Sequence, residues 1–96
     1  MLTKEEIIKQ VTEAKIFENK FFTKVWLIGS FACDEASANS DIDFLIEYNK
    51  DELNTQTTTE WSKAISFIET TFLRTVQMIS TEAYEKFENS VEILIK

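Results

Sequence analysis

Two aspartates, Asp41 and Asp43, stand one residue apart at the start of "DIDFLIEY", and ten residues before them is the pair Gly29-Ser30. On an extended strand, residues two apart share a face at roughly 6.6 Å along the chain. Both carboxylates then aim at one point, where they repel unless a cation lies between them. Mg²⁺, with Mn²⁺ as its substitute, prefers such oxygen ligands and keeps positions open for water or phosphate oxygens. Gly29 is the only glycine of the 96 residues. At a strand-to-helix turn a glycine lets the backbone take positive φ and lie against a bound group. The N–H groups of a helix start and the Ser30 hydroxyl are anion donors. A phosphate at the turn and a metal at the aspartates would make a nucleotide site. Asp41 and Asp43 alone would read as solvated or capping groups. Gly29-Ser30 at this spacing is what makes them a site.

These residues need a frame. Thr3 with Glu6 forms a capping box, and Ile7, Ile8, Val11 and Ala14 follow at helical spacing, predicting a helix from Lys4 to about Phe17. "KVWLIG" (Lys24 to Gly29) is a buried strand, and Ser30 is expected to cap a short helix through Phe31, Ala32 and Cys33. Asp34 to Ser40 is a loop, Asp41 to Tyr48 the second strand, and Asn49 to Gln56 an exposed connector. Trp61, Ala64, Ile65, Ile68 and Phe72 mark a third helix, and Thr75 to Ser80 a third strand. Thr81 opens a helix to about Glu88, and Val91 to Ile95 reads as a terminal strand. The order α-β-α-β-α-β-α predicts an α/β (α+β) fold with a small mixed sheet, residues 1–96 forming one domain.

Composition narrows the function. The chain is 44% apolar and 28% charged, as a globular protein is, with a net charge of −7 and a single arginine, Arg74. Direct nucleic-acid binding through a basic patch is not expected; a basic protein partner suits the charge better. The absence of histidine removes Ser-His triads and most zinc sites, and leaves Cys33 without a base to activate it. One cysteine, a charged N-terminus and no long apolar run point to the cytoplasm rather than to export or a membrane. Trp26, Trp61, Phe72 and Phe44 read as core, and Tyr84 as a helix-packing residue.

Gly29-Ser30, ten residues, then Asp41-Ile42-Asp43 resembles the signature of the DNA polymerase β-like nucleotidyltransferase superfamily. "GSFA…E…NSDIDFLIEY" looks most like its minimal nucleotidyltransferase branch. The resemblance covers essentially the whole chain. It implies a nucleotidyltransferase core with helices packed on its sheet. It implies transfer of a nucleoside monophosphate, AMP from ATP or another NTP, to an acceptor hydroxyl. Asp41 and Asp43 would be catalytic and bind Mg²⁺, and Gly29 and Ser30 would contact the triphosphate. Many members are antitoxins paired with a HEPN-domain toxin, on which they can adenylylate a tyrosine; otherwise a homo-oligomer is expected. The chain departs from the pattern twice. Ala32-Cys33-Asp34 stands where the family has alanine-arginine-glycine, and Asp34 tolerates the left-handed turn this needs. Val76-Gln77-Met78 stands where active relatives carry a third aspartate, and a neutral Gln77 is neither a base nor a good metal ligand. Glu47 shares the face of Asp43 but lies roughly 13 Å away along the strand. A catalytically degenerate fold that binds or scaffolds its partner is the alternative.

Overall fold

A computed structural model describes residues 1–84 and 90–96. It contains helices α1 (Lys4–Ala14), α2 (Gly29–Ala32) and α3 (Thr55–Phe72), and strands β1 (Phe22–Ile28), β2 (Ile42–Tyr48), β3 (Val76–Ser80) and β4 (Ile93–Leu94). The strands form one mixed sheet in the order β3-β2-β1-β4, with β1 antiparallel to both neighbours and β2 parallel to β3. A parallel pair needs a crossover, and α3 supplies it.

Alternation along the strands sorts the two faces. Val25 and Leu27 on β1 and Ile42, Phe44 and Ile46 on β2 point to one side, where they join Ile7 and Val11 of α1 and Ala64 and Ile68 of α3 in the core. Phe44 is wholly buried, as the sequence predicts. At one end of the sheet, Phe21, Phe22, Tyr48 and Trp61 pack ring against ring at centroid distances of 5.1 to 5.8 Å. Such pairs add about 0.5–1.5 kcal/mol each beyond area burial and stiffen this end. The other end of β1 and β2 carries the polar residues. Trp26 is a correction: it is only half-buried, on the face away from the core, because its register partners are Leu45 and Leu94.

Several boundaries differ from expectation for local reasons. Helix α1 stops at Ala14, not Phe17, because Lys15 turns left-handed at φ 57° and its N–H donates to the Thr12 carbonyl. Strand β1 begins two residues before Lys24: the Asn19 side chain accepts from the N–H groups of Phe21 and Phe22 and launches the strand there. The connector after β2 holds a 3₁₀ turn (Lys50–Glu52), and Asn54 caps α3 in a reciprocal box with Thr57. Thr81 to Ala83 form a turn rather than a helix start, and the remainder of that expected helix, from residue 85, lies outside the described residues. The terminal strand is present but short. No helix among the described residues is long and apolar enough to cross a membrane.

Candidate functional site

Strand β1 ends at Ile28, and Gly29 enters α2 with φ +75°. The cap is Ile28, so Ser30 sits one turn position inside the helix instead of capping it. Ser30 is half-buried; its carbonyl accepts from the Glu35 N–H at 2.8 Å and from Cys33 Sγ at 3.6 Å. The loop after α2 turns through Asp34 at φ +60°, the left-handed conformation expected of it.

Register brings the site together. Ile28 on β1 pairs with Asp43 on β2, and Asp43 pairs with Gln77 on β3. Paired residues share a face, so these three form one row across the sheet, on the side away from the core. The Asp43 carboxylate lies over the Cα of Gly29: a Cβ added to Gly29 would run into Asp43 Oδ2 and stand 3.2 Å from Cγ. Asp41 lies one residue before β2, exposed, and close enough for its charge to act on Asp43. Burial first, and the Asp41 charge second, raise the Asp43 carboxyl above the ordinary aspartate value. A cation between the two would relieve both effects, since it supplies the charge that solvent and neighbours withhold. The donor set therefore fits a hard divalent metal.

Two carboxylates near this pair are engaged elsewhere. Asp34 takes a 2.8 Å ion pair from Lys4 of α1, and that bond holds the Lys4 ammonium above its ordinary value. Glu47 accepts from Thr23 Oγ1 at 2.8 Å, four residues along β2 from Asp43. Gln77 is exposed. Among the described residues no group of three or more acidic, cysteine or histidine side chains gathers to hold a metal. The cleft beside α2, about 200 Å³ and lined by Lys4, Phe31, Asp34 and Ala36 among others, includes neither Asp41 nor Asp43. The site is an open edge at the polar end of the sheet.

One residue escaped sequence reasoning. Arg74, in the turn between α3 and β3, donates through Nη1 to the carbonyls of Ser37 and Ser40 at 3.2 and 3.0 Å, and its guanidinium lies 5.0 Å from the Phe31 ring centroid. Its only signal was being the sole arginine.

A chain in a crystal structure of a toxin–antitoxin with AMP-PNP superposes on this fold with a TM-score of 0.54 at 19% identity, over 88% of this chain and 61% of that one. The protein therefore spans about three-fifths of the solved chain it matches, and the likeness is one of fold. No curated protein matches the sequence. The family described as polymerase beta, nucleotidyltransferase, matches residues 6–94, from α1 through β4 and across the glycine turn and both aspartates. With that match over nearly its whole length, the chain belongs to the polymerase-beta nucleotidyltransferase family.

Proposed function

We propose that this chain is a single-domain, cytoplasmic minimal nucleotidyltransferase that transfers AMP from ATP to a hydroxyl of a partner protein, and that it serves as antitoxin to a HEPN-type toxin. The observation that carries this reading is the seat of Asp43: its carboxylate rests on the Cα of the only glycine, with the Asp41 charge beside it. Asp41 and Asp43 would hold Mg²⁺, or Mn²⁺ in its place, and when bound the metal offsets charge on the phosphate oxygens. Gly29 leaves room for the Asp43 carboxylate against the turn, and Ser30 would offer a hydroxyl to a phosphate oxygen beside it. In the transfer, the acceptor oxygen would form a bond to the α-phosphorus, the bond to the leaving pyrophosphate would break, and the hydroxyl proton would pass to water or to a base brought by the partner. The toxin–antitoxin crystal structure with AMP-PNP supports the choice of nucleotide and of partner by likeness of fold alone.

A second reading has its own observation. Gln77 is the register partner of Asp43 on β3, the place where a third carboxylate would complete the row. Glutamine accepts no proton at neutral pH, so the fold would neutralise its partner by binding without turnover.

The test is calorimetric titration with Mg²⁺·ATP, followed by α-labelled ATP with the partner. Binding by the wild type that Asp43→Asn abolishes, with label transfer that Asp41→Asn abolishes, upholds the first reading. Binding without transfer, with transfer switched on by Gln77→Asp, upholds the second. No nucleotide binding in either form sinks the nucleotide site.

A further inference from the structure

We infer that Arg74 is the positioning residue of this site, joining its two halves. One half is the glycine turn, whose short helix α2 carries Phe31 two residues after Gly29; the other is the 37–40 loop, which delivers Asp41. Neither is itself a long element. Helix α2 has four residues, and the loop is held by its own small polar residues, the Ser37 backbone N–H donating to Ser40 Oγ at 2.8 Å. Arg74 touches both. Its guanidinium lies over the Phe31 ring, and its Nη1 is shared between the Ser37 and Ser40 carbonyls, the second of which precedes Asp41 directly. Its chain neighbour completes the attachment, since the Thr75 carbonyl accepts from the Ile42 N–H at 3.0 Å. Asp41 is thus bracketed by a bond on each side, both from the α3–β3 turn.

The side chain suits this work. A planar guanidinium can stack on an aromatic face while its in-plane N–H groups reach carbonyl oxygens; an ammonium cannot do both. The sole arginine of an acidic chain is therefore bonded to the chain's own backbone. An anionic substrate would be met by a bound metal and not by this charge.

This inference rests on the metal-site reading above, and its test separates the two. Mn²⁺ binding is measured by electron paramagnetic resonance for wild type, Asp43→Asn, Arg74→Lys and Arg74→Ala, well below each melting midpoint, together with amide hydrogen exchange. Removing a positive charge would by itself tighten a cation. A positioning role demands the opposite sign: Arg74→Ala weakens Mn²⁺ on the order of tenfold, the size seen when a residue supporting metal ligands is lost. Arg74→Lys recovers part of that. Exchange speeds up selectively over residues 30–42, leaving α1 and the middle of β1 unchanged. Unaltered or tighter Mn²⁺ binding in Arg74→Ala overturns the inference, as does a uniform rise in exchange, which reports stability alone. Should the alanine variant not fold, the lysine variant decides by the same signs. If the wild type binds no Mn²⁺ the metal reading fails, and the selective or uniform pattern of exchange still decides whether Arg74 ties the two segments together.

Discussion

Gly29→Ala should damage the protein in a way that only the seat of Asp43 explains. Two costs are separable. The φ of +75° penalises any side chain, by about 1–2 kcal/mol for an L-residue. The new Cβ would also meet Asp43 Oδ2 and approach Cγ to 3.2 Å and Cβ to 3.3 Å, forcing the carboxylate off its rotamer at about 0.5–1.5 kcal/mol. The total is roughly 1.5–3.5 kcal/mol, and at about 4–8 °C per kcal/mol for a domain of this size the melting midpoint falls by roughly 6–28 °C. The first cost is one this chain accepts elsewhere, since Lys15, Asp34 and Leu73 all carry positive φ without being glycine. The second is specific to Gly29. A double-mutant cycle isolates it: denaturant unfolding of Gly29→Ala alone, then in Asp43→Ala and Asp43→Asn backgrounds. Asp43→Ala removes Oδ2 and Cγ, so there the Gly29→Ala cost shrinks by the contact part. Asp43→Asn keeps the shape, so there the cost stays. An equal cost in all three backgrounds would refute the claim that the carboxylate excludes a side chain at residue 29.

Other outcomes follow from the same contacts. The raised carboxyl of Asp43 means that its ionised form is less favourable in the folded than in the unfolded chain. Asp43→Asn should therefore be the more stable protein at neutral pH by a few tenths to about 1 kcal/mol, the scale of solvent-screened charge interactions; the gain should disappear as pH falls through the raised value to below the ordinary aspartate range, as read from midpoints across pH. Asn54→Ala removes the reciprocal box at the start of α3 and should cost about 1 kcal/mol, a drop of about 4–8 °C in Tm. Leu73→Gly, at an exposed left-handed helix end, should raise Tm by a few degrees, because relief of about 1–2 kcal/mol of strain outweighs the extra freedom of the unfolded chain.

What the sequence revealed, and what it concealed, divides by range of interaction. The α3 stripe and the period-two alternation of β2 are local patterns, so both elements were legible, as was Phe44 in the core. The glycine turn and the aspartates were legible because spacing and residue type together suggest one chemistry. Trp26 was misplaced because a short apolar run does not say which of two faces is the core. Ser30 was misassigned as a cap because Gly29 itself enters the helix at positive φ, moving the cap back by two residues to Ile28. Arg74 was illegible as a positioning residue: its bonds reach 34 and 37 residues back, and no local pattern announces such a contact.

On the proposed reading, binding and transfer would be separable in this site, and the sheet register is the reason. Asp41 and Asp43 place two negative charges at one edge, enough to favour a divalent cation. Moving a proton off an acceptor hydroxyl asks for a further base, and the sheet offers one natural position for it, on β3 beside Asp43. That position holds Gln77, in register and exposed. Two nearby carboxylates are held elsewhere, Asp34 by Lys4 and Glu47 by Thr23 at the far end of β2. On the proposed reading, a chain built this way would hold a metal nucleotide through the pair alone. Turnover would then depend on whether the acceptor, or the protein that carries it, brings a base to the open edge. Gln77→Asp would supply that base from within: it should raise transfer if the base was lacking, and leave transfer unchanged if the partner already provides it.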